Sequence, residues 1–174
     1  MSEETYISSE DSALLRKALH ALSGGRCLEI GAGNCGNLLE MRRGFELVVG
    51  TDLVRPSTSD WRGKGIDLVL ADAASCFRPG SFDLVAFNPP YLAVGVSHDR
   101  AVEGGERLEV PKAFLVEGLR TVKGTGKIVF LLNDEAHVGE FEELCSVKSF
   151  TLKRLAASRV FFEELAVYSA AASR

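Results

Sequence analysis

Short apolar runs alternate with amphipathic stretches along most of this chain. Residues 9–22 predict a helix, because Leu15, Leu19 and Leu22 recur on one helical face and Gly24 follows them. The same pattern predicts helices near residues 36–43, 111–122 and 135–144, and strands near residues 26–30, 46–51, 67–71, 82–87 and 126–132. This alternation of strand and helix predicts an α/β fold with a mostly parallel, doubly wound sheet.

The C-terminal region departs from that alternation. Residues 147–153 and 160–169 have the pattern of two strands joined by residues 154–159, which predicts an antiparallel hairpin. The linker ahead of the third strand, marked by Gly63 and Gly65, is short. The crossover helix in that linker is therefore predicted to be reduced or absent.

The composition predicts one folded domain. With 174 residues, 46% of them hydrophobic, the chain can bury one core of normal size, so residues 1–174 are expected to form a single domain. Cys27, Cys35, Cys76 and Cys145 form no CxxC pair, which indicates reduced thiols and no metal site. The N-terminus is acidic and no apolar run approaches about 20 residues, so a cytoplasmic protein is expected.

Net charge narrows the classes of partner. The formal charge is −4, the pI is about 5.5, and basic residues occur only in pairs such as Arg42-Arg43 and Lys153-Arg154. A stand-alone nucleic-acid binder needs a basic patch or stripe that neutralises phosphates. The charge pattern therefore favours a protein substrate over a nucleic acid.

A glycine-rich turn follows the first predicted strand. In the run from Cys27 to Asn37, Gly31 and Gly33 allow a ligand to approach the backbone closely. Asp52 ends the next strand, where a carboxylate suits the two neighbouring hydroxyls of a ribose. These residues indicate an adenosine-type ligand, and they fit a nicotinamide dinucleotide and S-adenosylmethionine equally well.

The fourth strand ends in Asn88-Pro89-Pro90-Tyr91. A planar nitrogen is a poor nucleophile, but the Asn88 side-chain oxygen and the Pro89 carbonyl could accept its two N–H bonds and direct its lone pair. Pro90 stiffens the turn, and Tyr91 offers a ring face for a flat group. A hydride-transfer enzyme has no use for this motif, although a proline turn that merely ends a buried strand would share its sequence.

These motifs together match a known family. Glu29 inside the glycine turn, Asp52, Asp72 after the third strand and the NPPY motif resemble the class I S-adenosylmethionine-dependent amino-methyltransferases. The chain is more narrowly similar to the HemK-type release-factor glutamine methyltransferases in their short archaeal and eukaryotic form, which also have an opening like residues 6–12 and a Gly-Gly pair like residues 104–105. Two positions differ from that pattern, since Ser8 replaces a usual proline and Leu108 replaces a usual glycine.

The resemblance implies a Rossmann-like class I methyltransferase sheet that binds S-adenosyl-L-methionine. Residues 1–24 would then form a helical segment that closes over the cofactor, with Ser12 at the cofactor's amino-acid end. Glu29 would bind loop amides or the cofactor's ammonium group, and Asp72 with Ala73 would lie at the adenine. Asn88 would also contact the cofactor. Purely structural roles remain as alternatives. Glu29 could only stabilise the turn, Ser12 could form a hydrogen bond with the backbone, and Asp72 could cap a short helix beginning at Ala73.

The implied reaction is methylation of a glutamine side-chain amide, in the Gly-Gly-Gln loop of a class 1 translation release factor. Asn88, Pro89 and Tyr91 would be catalytic through alignment, and Pro90 would help them hold the substrate. The scattered histidines His20, His98 and His137 are not needed as a general base, since the nitrogen becomes acidic only as it is methylated. Methylation of an RNA or DNA base, a catalytically silent scaffold subunit and an NAD-dependent oxidoreductase remain as alternatives.

A partner is also expected. Short members of the family resemble one another in forming heterodimers with a small zinc-binding activator protein. Residues 66–71 read as the third strand, which lies at an edge of the class I sheet, and the short linker before it offers no helix to cover it. The sequence therefore predicts that the partner pairs with this strand.

Overall fold

A computed structural model of the chain describes residues 3–56, 59–90, 108–132, 137–160 and 163–173. Within these ranges the chain forms four helices and seven strands. They are α1 (Glu3–Leu19), β1 (Gly24–Ile30), α2 (Gly36–Met41), β2 (Phe45–Asp52), β3 (Ile66–Leu70), β4 (Phe82–Phe87), α3 (Glu109–Thr121), β5 (Val122–Leu132), α4 (Val138–Val147), β6 (Phe150–Val160) and β7 (Glu163–Ala172).

The strands form one mixed sheet in the order β3-β2-β1-β4-β5-β7-β6. Strands β1 to β5 are parallel, whereas β7 runs antiparallel to β5 and β6 runs antiparallel to β7. This arrangement confirms the predicted doubly wound sheet with an antiparallel C-terminal hairpin. Because β1 is flanked by β2 and β4, the strand order reverses there, and a ligand crevice is expected at the carboxyl ends of β1 and β4.

Helices pack on both faces of the sheet. On β5, Val129 and Leu131 point into the core under α1 and α2, whereas Ile128 and Phe130 point into the core under α3 and α4. Successive side chains of a strand point to opposite faces, so a strand buried on both sides is a continuous apolar run. This explains why the central strands lack a polar face in the sequence.

Aromatic rings stiffen the carboxyl end of β4. The ring of Phe87 stacks on Phe130 at 4.9 Å between centroids, and Phe114 of α3 meets Phe87 edge-on at 6.0 Å. A carbon side chain placed at Gly31 would approach the Phe114 ring to 3.2 Å, so α3 also packs close to the glycine turn. The residue that follows Phe87 is thereby held on a rigid support.

The first predicted helix and the hairpin connection differ from the structure. Helix α1 ends at Leu19, three residues before the predicted end, because the chain turns and Gly24 already bonds the Gly44 carbonyl. The predicted connector 154–159 is wrong, since β6 continues through it to Val160. Pairing of residues 156–159 with β7 extends the strand there, and a bulge between Arg154 and Ala156 absorbs one extra residue.

The linker between β2 and β3 forms no helix in its described parts, residues 53–56 and 59–65, as the sequence predicted. Trp61 in that linker is partly buried against the core beneath α1 and α2, and the Arg62 guanidinium lies 5.6 Å from its ring centroid. Strand β3 is confirmed as an edge strand. Its outer backbone groups find no strand partner in the described part of the chain.

The four cysteines are free thiols, three of them buried and Cys76 exposed. Burial raises the pKa of Cys27 to about 12 and the pKa of Cys35 to about 11, so both stay protonated and unreactive near neutral pH. Within the described ranges, no cluster of His, Cys, Asp and Glu has the arrangement of a metal site. Likewise, no described helix has the length and apolar character needed to cross a membrane.

Candidate active site at the carboxyl ends of β1 and β4

The glycine turn after β1 is fastened to the end of β2. The backbone N–H groups of Gly31 and Ala32 donate to the Thr51 carbonyl at 2.9 and 2.8 Å. Gly31 and Gly33 have φ of 74° and 50°, values that a side chain would strain. A carbon side chain on Gly33 would meet nothing within 4 Å, so the turn faces open space on that side.

Asp52 braces this turn. Its Oδ2 accepts a hydrogen bond from the Gly33 backbone N–H at 2.9 Å, and its Oδ1 accepts one from the Val54 N–H at 3.2 Å. The carboxylate is only half-buried, and each oxygen has a further lone pair that can accept a hydroxyl. The structure thus adds a role in the turn to Asp52, while ribose binding stays a prediction.

Glu29 lies beneath the turn with 1% of its surface exposed. Its Oε1 accepts a hydrogen bond from the Asn37 Nδ2 at 2.6 Å, whereas its Oε2 and the Asn37 Oδ1 are buried without a partner in the described residues. Burial raises the pKa of Glu29 to about 8, although the hydrogen bond from Asn37 acts in the opposite direction. The sequence indicates no role for Asn37. Its position in the first turn of α2, directly after the glycines, is the feature that could have pointed to this contact.

Asp72 and Ala73 follow β3, on the β2 side of the crevice. Asp72 is exposed, and Ala73 has φ of 45°, a left-handed conformation that is rare for a residue other than glycine. Residues 73–76 form a turn rather than a helix, so Asp72 does not cap a helix as one interpretation proposed. Its carboxylate is open to a ligand at this edge, and the adenine assignment stays a prediction.

Asn88 follows β4 directly, and its neighbour Phe87 pairs with Ile30 at the end of β1. The Asn88 Nδ2 donates to the Asp11 Oδ2 of α1 at 3.1 Å. Its Oδ1 is buried, with no partner among the described residues. Pro89 is buried and Pro90 half-buried.

The expected roles of several loop residues fall beyond the described ranges. Tyr91, the last residue of the motif, lies there, as do His98 and the Gly-Gly pair at residues 104–105. Leu108, the other departure from the family pattern, is described and takes a left-handed φ of 57°, a value that the usual glycine would adopt without strain.

Helix α1 contributes Asp11 and Ser12 to this region. Asp11 is 4% exposed, and its Oδ1 accepts a hydrogen bond from the Ser12 backbone N–H at 2.5 Å. Ser12 is half-buried and adjacent, in agreement with an N-terminal segment near the crevice. The opening motif at residues 6–12 includes Asp11, but the sequence indicates no role for this residue, because nothing local shows that it meets Asn88.

Two histidines, His20 and His137, are among the described residues. His20 Nδ1 pairs with Glu40 Oε1 at 2.5 Å on an exposed surface, and His137 precedes α4. The hydrogen bond given by the Asn88 side chain goes to a carboxylate and not to an imidazole. Among the described residues, the arrangement therefore suits alignment by fixed hydrogen-bond groups.

Solved structures share this architecture. The Mtq2–Trm112 complex of E. cuniculi, which methylates the translation termination factor eRF1, contains a chain that is 24% identical, with a TM-score of 0.76 and coverage of 94% of this chain and 96% of that one. A Burkholderia thailandensis N1-methyltransferase, solved with bound 1,6-didemethyltoxoflavin and S-adenosylhomocysteine, is 15% identical, with a TM-score of 0.63 and coverage of 96% and 81%. The fold is that of a class I methyltransferase. This methyltransferase fold places the glycine turn, Asp52 and Asn88 along one crevice.

A curated relative agrees with the structural comparison. The protein is described as "Putative protein N5-glutamine methyltransferase" from Methanocaldococcus jannaschii, and it is 28% identical over 187 aligned positions that cover 96% of this chain and 91% of the relative. No family model matches the chain. The predicted resemblance to protein glutamine methyltransferases is nevertheless confirmed by this relative, and the structural matches confirm the class I methyltransferase fold.

Proposed function

We propose that this chain transfers a methyl group from S-adenosyl-L-methionine to the side-chain amide nitrogen of a glutamine, in the Gly-Gly-Gln loop of a class 1 release factor. The observation that carries the proposal is the Oδ1 of Asn88, which is buried and has no hydrogen-bond partner among the described residues, at the point where the sheet order reverses. A fixed acceptor there suits a substrate that offers N–H groups. The same proposal places the protein in the cytoplasm, where translation terminates.

The described residues fit the cofactor. Open space beside Gly33 leaves room at the turn, and Asp52 can accept the two ribose hydroxyls. Among the described residues, the Oε2 of Glu29 and the Oδ1 of Asn37 have no hydrogen-bond partner, and an ammonium group supplies donors, directly or through water. Asp72 would take the adenine amino group, with Ala73 beside it, and the bound cofactor would supply an electrophilic methyl on a sulfonium.

The N-terminal helix completes that site in the proposal. Ser12 would contact the amino-acid end of the cofactor, and residues 1–24 would close over it. Support comes from the hydrogen bond that joins Asp11, the neighbour of Ser12, to Asn88. Leu15 and Leu19, both buried, anchor the same helix on the sheet.

The chain's own contribution to the reaction is alignment. Asn88 Oδ1 and the Pro89 carbonyl would accept the two amide N–H bonds, which turns the nitrogen lone pair toward the methyl carbon at about 3 Å. These acceptors bind more strongly as the nitrogen gains positive charge in the transition state. Pro90 stiffens the turn, Tyr91 would offer a flat face to the amide, and the proton leaves to water after transfer.

The substrate assignment has a direct test. The protein is incubated with methyl-labelled S-adenosylmethionine and a class 1 release factor, a release factor with Gly-Gly-Ala in place of Gly-Gly-Gln, or total RNA. We expect label in the first sample only. Label in the RNA would replace the proposed substrate with a nucleobase, and equal label in both release factors would exclude the loop glutamine.

The cofactor assignment predicts a specific loss of affinity. We expect Asp52→Ala to weaken S-adenosylmethionine binding by about 1.5 to 3 kcal/mol, the range for hydrogen bonds to a charged group, since both ribose hydroxyls lose their acceptor. Isothermal titration calorimetry measures this change. Asp60→Ala, at an exposed aspartate in the following linker, serves as the control and should bind normally. Unchanged affinity in Asp52→Ala would show that Asp52 does not bind the ribose and serves only the turn.

A small zinc-binding activator protein is the proposed partner, and β3 is its proposed docking edge. Leu53, Val54 and Leu70, which lie on or beside this edge, are 72%, 69% and 63% exposed. Leu70 pairs with Asp52 on β2, so this apolar surface adjoins the cofactor crevice. The complex formed by the similar E. cuniculi chain supports a heterodimer here.

The other edge of the sheet differs in chemistry. Strand β6 exposes Lys153, Arg154 and Arg159, and charged side chains on an edge strand discourage further pairing. Strand β3 carries one exposed charge, Asp67, in a run that is otherwise apolar. An added strand would therefore gain main-chain bonds and apolar contact at β3 rather than at β6.

This difference gives a matched pair of variants. We expect Leu70→Glu to lower partner affinity about 10-fold or more, because a charge replaces an exposed apolar contact, whereas Leu155→Glu on β6 should bind normally. Co-expression with the activator and hydrogen exchange supply the measurement, with protection expected over β3. A chain that is monodisperse and fully active alone, or protection confined to the NPPY region, would contradict the proposed interface.

A further inference from the structure

We propose that Asp11 is a positioning residue, which fixes the orientation of the Asn88 carboxamide so that its oxygen faces the substrate. A carboxamide has nearly the same shape in its two orientations, which exchange the oxygen and the NH₂ group. Shape alone therefore leaves the Asn88 side chain free to present either a donor or an acceptor. The contact with Asp11 decides between them.

The selection is electrostatic. An ionised carboxylate only accepts hydrogen bonds, so the Asn88 group that faces the Asp11 Oδ2 at 3.1 Å is the Nδ2 donor. The opposite orientation would bring two oxygen acceptors together and leave the Nδ2 hydrogens without that partner. The Asn88 Oδ1 is consequently directed away from Asp11, and in the described residues it has no partner.

Asp11 is itself held in place. It is 4% exposed, and its second oxygen accepts a hydrogen bond from the Ser12 backbone N–H at 2.5 Å. One and two turns further along α1, Leu15 and Leu19 are buried in the core. The carboxylate therefore has little freedom to follow a flipped carboxamide, and its preference is imposed on Asn88.

The consequence for the reaction rests on the proposed function. A glutamine amide nitrogen brings two N–H donors. Within the Asn88 side chain, only Oδ1 can accept one of them, because Nδ2 is a donor. A flipped Asn88 would place donor against donor and hold the nitrogen out of line. Without Asp11, the aligned arrangement becomes one of several, so the rate of methyl transfer falls while the cofactor contacts stay.

The contact can be tested without any substrate. In a ¹⁵N spectrum of the full chain, the side-chain amide signal of Asn88 is identified by its disappearance in Asn88→Ala. We expect one of its protons to be shifted downfield by the carboxylate, and Asp11→Ala to return it to the position of a free amide. An unchanged Asn88 amide signal in Asp11→Ala would overturn the proposal, whatever the substrate proves to be.

The second test is a double-mutant cycle with labelled cofactor and the Gly-Gly-Gln release factor. We expect Asp11→Ala to lower kcat about 10-fold or more, with the cofactor Kd within about three-fold of wild type. In an Asn88→Ala background the same change should alter kcat less than about two-fold, because Asp11 acts through Asn88. If Asp11→Ala lowers kcat equally in the wild-type and Asn88→Ala backgrounds, Asp11 does not act through Asn88. If Asp11→Ala alone has a kcat near wild type, Asp11 has no positioning role.

A conservative variant covers the case in which Asp11→Ala fails to fold. Asp11→Asn keeps the side-chain volume and can still accept a hydrogen bond from Asn88, but it can also donate one. We therefore expect partial activity and two sets of Asn88 side-chain amide signals, one for each orientation of the carboxamide. Wild-type kcat and a single unshifted signal in Asp11→Asn would contradict the proposal. If the wild-type chain labels no glutamine, the proposed function is wrong, and the amide spectra still decide the role of Asp11.

Discussion

Asn88→Ala is expected to lower methyl transfer at saturating cofactor by about two orders of magnitude or more, with cofactor affinity changed by no more than a few-fold. The reason is that Asn88 follows β4 and offers an acceptor with no partner in the described ranges, whereas most of the proposed cofactor contacts lie on the glycine turn and after β2 and β3. Loss of one preorganised transition-state acceptor costs a factor of that size. Single-turnover transfer of label measures the rate, and calorimetry measures the affinity.

Asn88→Asp gives a closely matched control for this experiment. Aspartate retains the shape and an oxygen acceptor, but it brings a second carboxylate against Asp11 in place of the Nδ2 donor. We expect it to fall well below wild type as well, which separates the need for a neutral carboxamide from the need for an acceptor. Wild-type activity in Asn88→Ala would remove Asn88 from the catalytic assignment.

Glu29→Gln is expected to stabilise the cofactor-free protein at pH 8 and to change its stability little at pH 5. The folded pKa of Glu29 is raised by burial from 4.5 to about 8. Between these values the folded chain keeps a proton that the unfolded chain has lost, so the free energy of unfolding falls as pH rises through this window. At about 1.4 kcal/mol per pH unit, the wild type loses about 3 to 4 kcal/mol between pH 5 and pH 8 that the glutamine variant retains.

Denaturant unfolding of both proteins at intervals from pH 5 to pH 8 measures this difference. Titrations common to the two proteins cancel, so the difference in the free energy of unfolding isolates Glu29. Glu46→Gln applies the same substitution to an exposed carboxylate on β2 and should not change the slope. Parallel pH profiles for wild type and Glu29→Gln would contradict the assigned pKa shift.

The raised pKa also bears on the cofactor. A carboxyl group with a pKa of about 8 is largely neutral at pH 7, yet an ammonium group nearby would favour its ionised form. If Glu29 serves the cofactor as proposed, binding near neutral pH releases a proton. Glu29 would then change its charge state between the free and the loaded protein.

Local sequence patterns predicted most of the architecture, because strands and helices have different periods. The run ending in Phe87 and the glycine turn after Ile30 are local signals, and the structure places both motifs at the carboxyl ends of neighbouring strands. The hairpin was less predictable, since residues 154–159 carry enough alanine and charge to resemble a connection. Pairing with β7 decides that they form strand, because cross-strand bonds outweigh a weak local preference.

The sequence by itself determined the fold class and the two motifs, which follow from spacing along the chain. The edge position of β3 followed from the resemblance to the class I methyltransferases. Only the tertiary structure decided how the motif side chains are used. Asp11 meets Asn88 across 77 positions, and Glu29 is largely neutral at pH 7 because burial beneath the turn raises its pKa, against the effect of the Asn37 hydrogen bond. Hydrogen-bond partners and burial are properties of three-dimensional packing, and no local pattern of residues encodes them.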